Sequence, residues 1–574
     1  METMRLRVNS RRRRRRGFAA IAVLILIGLA LGLWIGWMQF APNKTHIKPD
    51  YGDPYALFYK GVRLEQNAIM DGNELKLPLS ALEQVFKENV IRYEAASGSI
   101  IMTTTDHVLR MKTDELTATL NSKPYELYVA AEKRGDDVYL PAAPLSQLYG
   151  LQVEYQPSSG TVTLMQAGDQ IARVKPANST KGVAIRTEAS IKAPIVEQVP
   201  GGEIVRQWKQ EDDHWTVVQG PNGAVGYAKL SQLEQSDSQM VPMPELPKPF
   251  EAPALTGGKI NLTWEAVYDN PTNTAKIGDM PGVNVVSPTW FELQNGQGDI
   301  RSKADAKYVA WAHNRGMQVW ALFSNGFEPE RTTEALATVE TRFKMIQQIL
   351  AFAQLYDLQG INVDFENVNV SDKDNLVQFI RELTPLLHEQ GLVVSIDVTP
   401  KSTSPTWSMF LDRAALGKTV DYMMLMAYDE HWASSPTAGS VASLPWTKQS
   451  LTRILNEDNV PPQKIVLAMP LYTRLWTEKD GKVSSKAIGM EKVATIIKEQ
   501  KLTPKLDESS GQNYVEYKEG DARQRIWIED EKSLKSRIAL VHEYGLAGVA
   551  TWQRAFQGGS VWTTIEHALK QTPN

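Results

Sequence analysis

The chain has 574 residues, several times the size of an ordinary domain, so we expect about three or four folding units. Apolar residues make up 42% and charged residues 22% of the chain, an ordinary globular balance that excludes wholesale disorder. The formal net charge of -4 hides an asymmetry, because residues 1–40 hold eight arginines and leave -11 on the remainder. An acidic body is a poor partner for nucleic acid, and the lack of cysteine excludes disulfides and thiol nucleophiles.

The N-terminus carries a basic cluster that is followed by an uncharged apolar stretch. Residues 1–17 include six consecutive arginines, and residues 18–40 contain no charged side chain. About 20 apolar residues are enough for a helix to cross a bilayer, and basic flanks favour the cytoplasmic side. We therefore expect a cytoplasmic segment at 1–17, a transmembrane anchor at 18–40 and an extracellular remainder. The alternative is a cleaved signal peptide and a secreted protein, against which Pro42 at the only small-residue exit argues.

Residues 51–175 contain an internal repeat, with one copy at 75–104 and the other at 138–166. The copies share a Leu-Pro pair, an aromatic residue and a Ser-Gly pair at matching positions. Each copy predicts a short strand, a short helix and a hairpin. The repeat resembles the N-terminal domain of copper amine oxidases, which implies a stalk-like spacer. Copper binding is not expected, because the segment offers only His107.

Residues 180–234 alternate short apolar runs with glycine turns, a pattern typical of a small β-barrel. The segments 183–186 and 200–202, together with Trp215 and Tyr227, resemble a bacterial Src-homology-3-like domain. That resemblance implies contact with cell-wall peptides. Trp215 and Tyr227 are better explained as core residues than as ligand contacts, since a small barrel needs large side chains to fill it.

Residues 235–257 hold a cluster of prolines, which predicts an extended linker and a domain boundary. From 258 to 572, apolar β-runs alternate with helical stretches over about 310 residues, the size and rhythm of a (β/α)8 barrel. We therefore expect an α/β TIM barrel, preceded by small α+β repeat and β-barrel domains. Tyr514–Ile528 predicts extra β-structure, hence a small α+β insertion before the last barrel strand. The expected barrel strands are 259–264, 283–288, 317–323, 360–366, 392–399, 421–428, 464–471 and 547–553.

The segment Gly360–Glu366 carries the most informative pattern. Side chains alternate along a strand, so Asn362, Asp364 and Glu366 share one face. In a barrel that face points to the axis at the carboxyl end, where barrel enzymes place their chemistry. Cleavage of a glycosidic bond needs a proton donor and a group that stabilises the anomeric cation. The spacing of Asp364 and Glu366 suits one acid with a helper.

This segment resembles the strand-4 motif of glycoside hydrolase family 18, Asp-Gly-x-Asp-x-Asp-x-Glu, in the form of its spore-cortex and wall-lytic branch. The resemblance implies a retaining, substrate-assisted reaction in which Glu366 protonates the glycosidic oxygen and Asp364 holds the acetamide. Gln359 and Asn362 stand where the pattern has its first and second Asp, so the carboxylate cluster is thinner and the pH optimum is in question. Asn362 is counted among the expected substrate contacts. No metal or cofactor is expected.

Later strands carry further resemblances to the same family. The Met-Ala-Tyr-Asp run ending at Asp429 implies that Tyr428 holds the acetamide carbonyl and that Asp429 contacts the sugar. Tyr472 resembles the strand-7 residue that lines the sugar groove, and Trp552 resembles the tryptophan on which the sugar stacks.

Other inward candidates carry weaker patterns. Trp264, Trp290 and Trp320 also end early strands, and for each the groove and the core are equally good predictions. Asp397 alternates with Ser395 and gives a weak hint of an inward carboxylate.

These expectations describe a membrane-anchored glycosidase whose partner is a polysaccharide with N-acetyl groups. Peptidoglycan, chitin and other poly-N-acetyl sugars all remain open as substrates. The main alternative is a non-catalytic protein that binds amino-sugar polymers or the cell wall, and Glu366 argues against it. A second alternative, an anchor with a vestigial barrel, is opposed by the intact Asp364, Tyr428 and Trp552.

Overall fold

The computed structural model describes residues 11–52, 54–177, 182–244, 250–268 and 270–571. Contacts divide the protein into two compact units. The first unit is drawn from residues 1–89 and 128–246, and the second from residues 90–127 and 247–574. Part of the expected basic segment, residues 1–10, and part of the expected linker, residues 245–249, lie outside the described residues.

The helices before the barrel are α1 Arg11–Phe40, α2 Leu79–Val85 and α3 Ala142–Tyr149. The strands there are β1 Ala56–Tyr59, β2 Val62–Asn67, β3 Ile69–Asp71, β4 Glu74–Pro78, β5 Ile91–Glu94, β6 Ser99–Thr103, β7 Val108–Lys112, β8 Thr117–Leu120, β9 Lys123–Glu126, β10 Glu132–Arg134, β11 Asp137–Pro141, β12 Gln152–Gln156, β13 Thr161–Met165, β14 Gln170–Pro176, β15 Val183–Arg186, β16 Ile195–Val199, β17 Val205–Gln210, β18 Trp215–Gln219, β19 Val225–Lys229 and β20 Leu233–Met240.

The remaining helices are α4 Ala306–His313, α5 Pro329–Ala337, α6 Val339–Leu355, α7 Lys373–His388, α8 Arg413–Thr419, α9 Leu444–Glu457, α10 Met490–Glu499, α11 Glu531–Tyr544 and α12 Val561–Lys570. The remaining strands are β21 Ile260–Glu265, β22 Val285–Leu293, β23 Ile300–Ser302, β24 Gln318–Ser324, β25 Gly360–Asp364, β26 Val393–Val398, β27 Tyr422–Met426, β28 Ile465–Pro470, β29 Tyr472–Lys479, β30 Lys482–Gly489, β31 Lys505–Asp507, β32 Gln512–Glu519, β33 Ala522–Ile528 and β34 Gly548–Trp552.

Helix α1 contains an apolar stretch, Ala20–Phe40, with a mean hydropathy of 2.4 and none of it buried in the protein. At 21 residues this stretch is long and apolar enough to cross a membrane. A signal sequence and a permanent anchor share these properties.

Both copies of the repeat fold as strand, helix and hairpin, the order that their shared residues predict. The first copy runs β4, α2, β5 and β6, and the second runs β11, α3, β12 and β13. The matching aromatic residues Phe86 and Tyr149 contact each other, with ring centroids 4.8 Å apart. The hairpins differ in their surroundings: β12 and β13 pair with β1 and β2, whereas β5 and β6 begin the antiparallel sheet β5-β6-β7-β8-β9 of the second unit.

A seven-stranded sheet in the first unit has the order β16-β15-β19-β18-β17-β14-β20. Its small core is built from β-branched side chains that alternate along the strands, including Val183, Ile185, Val199 and Val218. Trp215 is 7% exposed, as expected for a core residue.

Strands β21, β22, β24, β25, β26, β27, β28 and β34 form a closed parallel barrel, because β21 pairs with both β22 and β34. Every barrel strand expected from the sequence is present. Outward apolar side chains pack under the helices, and an inner layer that includes Trp264, Trp320 and Leu322 fills the barrel. Gly360 is required in this layer, since a Cβ there would lie 2.8 Å from the Trp320 ring.

The expected insertion lies between β28 and β34. Helix α10 and the sheet β30-β29-β33-β32-β31 form it, with a small apolar core that includes Ile488, Val493 and Ile526. The insertion is larger than the stretch Tyr514–Ile528 predicted, because the hairpin β29–β30 opens directly after barrel strand β28. Polar and charged side chains fill much of this hairpin, so its hydrophobic alternation is weak.

The sheet β5–β9 packs on the outer helices of the barrel. Glu94 at the end of β5 pairs with Arg342 of α6 at 2.7 Å and accepts the backbone N–H of Val339 at 2.8 Å. Arg342 also pairs with Glu382 of α7 at 2.8 Å. Arg342 is fully buried, and the side chains of Glu94 and Glu382 are 11% and 2% exposed. Residues from the repeat segment therefore complete a buried ion network of the barrel unit.

Candidate active site

Strand β25 brings its polar side chains to the barrel axis. Asn362 is fully buried and Asp364 is 8% exposed, whereas Ile361 and Val363 belong to the outer apolar layer. This alternation is the one that the sequence predicts. Glu366 follows the strand at its carboxyl end and is half-buried. The two acids therefore stand at the end of the barrel where enzymes of this fold carry their active sites.

The backbone of Glu366 is held from both sides by one amide side chain. The Glu366 N–H donates to Asn325 Oδ1 at 3.1 Å, and Asn325 Nδ2 donates to the Glu366 carbonyl at 2.8 Å. Asn325 is fully buried directly after β24, and its Nδ2 also donates to Thr332 at 2.9 Å. Sequence reasoning missed Asn325, although its place just after a barrel strand was a signal for a residue at the active-site end.

Asn362 connects three other strands of the barrel. Its Oδ1 accepts the indole N–H of Trp264 at 2.8 Å and the hydroxyl of Ser287 at 3.3 Å. Its Nδ2 donates to Asp397 Oδ1 at 2.8 Å. Asn362 therefore bonds to Asp397 of β26, and its full burial places it behind the reacting acids rather than at the surface of a groove.

The inner carboxyl groups hold their protons more tightly than ordinary carboxyls. Burial raises the pKa of Asp364 to about 7. Burial also raises the pKa of Glu366 well above its ordinary value, and the neighbouring Asp364 and Asp429 raise it further. The raised pKa of Glu366 favours its protonated form, which a proton donor needs, while a pKa of about 7 leaves Asp364 partly ionised at neutral pH.

Tyr428 and Asp429 follow β27 at the same end of the barrel. Burial raises the pKa of Tyr428 well above its ordinary value, with further contributions from Asp397, Tyr472 and Glu366, so the hydroxyl stays protonated. Asp429 adopts a φ of 61°, in the left-handed region that Asp tolerates better than most residues. Its carboxylate accepts the Tyr472 hydroxyl at 2.6 Å. Asp429 is thus hydrogen-bonded to Tyr472, which begins β29 just after the seventh barrel strand, β28.

Arg474, on β29, is the cation that pairs with Asp429. It lies 3.4 Å from Asp429 and its side chain is 9% exposed. The guanidinium balances the carboxylate of Asp429, and no cation of the described residues pairs with Asp364, Glu366 or Asp397.

Trp552 ends the last barrel strand and is half-buried. Its ring centroid lies 6.0 Å from that of Trp264. Trp264, Trp290 and Trp320 are each 1% exposed, so all three belong to the core. Of the four, Trp552 alone keeps part of its indole accessible, as stacking on a sugar requires.

Gln359 lies at the opposite, amino end of β25. Its Oε1 contacts His313 Nε2 at 2.9 Å and accepts the backbone N–H of Val319 at 3.1 Å. The Asp-to-Gln departure at this position therefore concerns strand pairing at the far end of the barrel and does not thin the cluster around Asp364 and Glu366.

Comparison with known proteins matches two parts of the chain to family models. Residues 273–556 match glycosyl hydrolases family 18, and residues 56–164 match the copper amine oxidase N-terminal domain. The match to the second family agrees with the repeat of strand, helix and hairpin, whereas no such match supports an Src-homology-3-like domain.

Individual relatives cover the barrel. The uncharacterized glycosylase YvbX of Bacillus subtilis (strain 168) is 28% identical over 302 residues, which are 50% of this chain and 85% of the relative. The cortical fragment-lytic enzyme of the same organism is 24% identical over 255 residues, 43% of this chain and 58% of the relative. The crystal structure of a chitinase from Chromobacterium violaceum ATCC 12472 has a TM-score of 0.49 and 23% identity, covering 55% of this chain and 99% of that one. Residues 273–556 are therefore similar to glycosyl hydrolases family 18, and the protein is a glycosidase.

Proposed function

We propose that the barrel hydrolyses glycosidic bonds of N-acetylated amino sugars, with the acetamide of the substrate as the nucleophile. The observation that supports this proposal most strongly is that Asp364, two residues before Glu366, has a buried carboxylate oxygen without a hydrogen-bond donor. Asp364 Oδ1 is buried and accepts no hydrogen bond from any described residue. A buried carboxylate oxygen without a donor is costly, and an acetamide N–H from a bound substrate satisfies it.

In this mechanism Glu366 gives its proton to the glycosidic oxygen while the bond between that oxygen and C1 breaks. The acetamide carbonyl oxygen attacks C1 and forms a cyclic oxazolinium ion, whose N–H donates to Asp364. The Tyr428 hydroxyl holds the acetamide oxygen in line for this attack. Water then attacks C1 and returns a proton to Glu366, so the product keeps the configuration of the substrate.

The sugar ring is expected to stack on Trp552, with Asp429 accepting from a sugar hydroxyl and Tyr472 lining the groove. Tyr472 holds Asp429 at 2.6 Å, which fixes the carboxylate before the substrate arrives. Asn362 is fully buried, so we expect it to support the site through its bonds to Trp264 and Asp397 rather than to contact the sugar.

We propose peptidoglycan, or a related envelope glycan, as the substrate class, a choice supported by the relative named cortical fragment-lytic enzyme. Digestion of purified peptidoglycan and of chitin oligomers, with the reducing ends of the products identified by mass spectrometry, tests it. We expect peptidoglycan fragments that end in a reducing N-acetylated sugar. Binding of both glycans without any new reducing ends would support the non-catalytic alternative instead.

We further propose that residues 18–40 form an uncleaved anchor, with residues 1–17 in the cytoplasm and the barrel outside. The apolar stretch Ala20–Phe40 supports this proposal by its length and hydropathy. N-terminal sequencing of the protein from membranes, together with protease treatment of intact protoplasts, tests it. A secreted form that begins near Pro42 would contradict the anchor.

For the part between anchor and barrel, we propose a duplicated stalk at 51–175, a wall-contact module at 180–234, a linker at 235–257 and a catalytic region at 258–572. A groove of about 430 Å³ is lined in part by Lys44 and Lys229, and these two cations suit acidic wall peptides. Binding of the full chain to wall fragments should weaken when 180–234 is deleted. Unchanged binding would reduce this module to a spacer.

A further inference from the structure

We propose that Asp397 is a positioning residue of the reaction, supplying from strand β26 the inner carboxyl that the family 18 pattern places at position 362. This inference rests on the proposed function and adds to it a third carboxyl group that sets the ionisation of the reacting pair. The neighbouring hydrogen-bond donors determine the orientation of the Asn362 amide.

The indole N–H of Trp264 is a donor only, and it lies 2.8 Å from Asn362 Oδ1. The oxygen of the amide must therefore face Trp264, and the amino group must face Asp397, 2.8 Å from its Oδ1. An Asn in this orientation needs an acceptor on β26. Asp397 is that acceptor, and the Asn–Asp pair spans the barrel interior between neighbouring parallel strands.

Asp397 is 3% exposed and lies on β26, the strand that pairs with β25, which carries Asp364. Burial raises its pKa well above the ordinary value, the repulsion of Asp364 and Glu366 raises it further, and the hydrogen bond from Asn362 opposes the rise. Asp397 is also the leading charged neighbour that raises the pKa of Tyr428. The groups that face it are thus two carboxyls and one phenol, and none of them is a cation.

Compared with the family pattern, this chain has moved one inner carboxyl from position 362 on β25 to position 397 on β26, and it has not lost one. The family pattern has four acids, at 359, 362, 364 and 366. Position 359 lies at the far end of β25, so three of the four belong to the inner cluster, and this chain has three inner acids at 364, 366 and 397. Three neighbouring carboxyls that pair with no cation of the described residues cannot all ionise together, so each one present delays the ionisation of the others. We therefore expect Asp397 to add to the repulsion from Asp364 and Asp429, so that Glu366 stays protonated to higher pH than it would without Asp397.

The test measures kcat and KM of the full chain against pH for the wild type, Asp397→Asn, Asn362→Asp and the double variant. Asp397→Asn keeps an oxygen acceptor for Asn362 but removes the charge. Its profile should move to lower pH, with the alkaline limb shifted by about one unit, so activity above that limb falls roughly tenfold. Asn362→Asp adds a fourth carboxyl and should move the profile to higher pH.

The double variant Asn362→Asp with Asp397→Asn returns the carboxyl to strand β25, and its profile should return toward that of the wild type. Ser395→Ala is the matched control, because Ser395 lies two residues earlier on the same strand and face and is also buried. Its profile should superimpose on the wild type.

Profiles of Asp397→Asn and wild type that superimpose would overturn the inference. So would a double variant displaced as far as the single one, since Asp397 would then act only as a packing residue. Glu366→Gln is measured in parallel, because it separates the two proposals. If Glu366→Gln is inactive while the Asp397→Asn profile is unchanged, only this inference fails. If Glu366→Gln keeps wild-type activity, the proposed function itself fails.

Discussion

Asn325 holds Glu366, the proposed catalytic acid, through the backbone of Glu366 rather than through its carboxyl group. Both the N–H and the carbonyl of Glu366 bond to this one amide, so the direction in which Glu366 leaves the strand depends on it. A small misplacement of a catalytic group lowers the rate on the order of 10²-fold. We therefore expect Asn325→Ala to lower kcat by roughly 10- to 100-fold with little change in KM.

Steady-state kinetics with the same glycan check this expectation, and thermal unfolding serves as its control. A kcat close to that of the wild type would show that the strand alone positions Glu366.

The raised pKa values of the acid pair predict the pH dependence of the reaction. In the proposed mechanism Asp364 must be ionised, and its pKa of about 7 predicts that kcat/KM falls as the pH drops through 7. Glu366 must be protonated, so kcat/KM also falls as the pH rises through its raised pKa. We expect a bell-shaped profile with its optimum at or above neutral pH. A profile that peaks below pH 5 would contradict the assignment of the two roles.

The same burial makes Asp364 a cost to stability at high pH. Its folded pKa of about 7 exceeds the unfolded value of about 3.9, so the folded protein binds the extra proton between these values. The stability that comes from this bound proton is fully present below pH 4 and is lost as the pH rises through 7. Asp364→Asn should therefore be more stable than the wild type at pH 8, by roughly 1–4 kcal/mol, and equally stable at pH 4.

Urea unfolding of both proteins at the two pH values measures this difference. Lower stability of Asp364→Asn at pH 8 would indicate that Asp364 makes a stabilising contact as an anion.

At the scale of the elements, the sheet β5–β9 stabilises the barrel helices through Glu94. Removing this carboxylate leaves the fully buried Arg342 with Glu382 as its remaining carboxylate partner and frees the N–H of Val339. Loss of one partner from a buried ion network costs about 3–5 kcal/mol, and somewhat less where a second carboxylate remains. We expect Glu94→Ala to lower the free energy of unfolding of the barrel by about 2–3 kcal/mol.

Lys123→Ala is the matched control, because Lys123 of β9 also pairs with the barrel, through Glu389, but is 75% exposed. An exposed pair contributes about 0–1 kcal/mol, so its loss should be barely measurable in urea. Equal effects of Glu94→Ala and Lys123→Ala would show that the buried network is not what holds this sheet.

The barrel strands were predictable because each is a run of apolar residues bounded by polar ones, and Asp364, Glu366 and Tyr428 lie at their carboxyl ends. The side-chain contacts between different strands were not predictable from the sequence. Asn325 and Glu366 are 41 residues apart, and Asn362 and Asp397 are 35 apart, so only the closed barrel brings each pair together. The sequence likewise shows the repeat but not that its two hairpins lie in different units.

At the scale of the whole molecule, the two units divide the chain differently from its linear motifs. The segment Val90–Leu127 belongs to the unit that contains the barrel. A truncated enzyme that begins at the linker therefore lacks Glu94, and it should be less stable than a chain that keeps this segment. Deletion of 180–234 removes no residue of the barrel unit, so it should leave cleavage of soluble oligomers nearly unchanged.

We propose that this glycosidase uses Glu366 as its acid and the substrate acetamide as its nucleophile. The most direct measurement compares cleavage of an N-acetylated oligomer and of its de-N-acetylated counterpart by the wild type and by Glu366→Gln. We predict that the wild type cleaves only the N-acetylated oligomer and that Glu366→Gln loses on the order of 10²–10⁴-fold in kcat. Comparable cleavage of the de-N-acetylated oligomer, or wild-type turnover by the variant, would contradict the account.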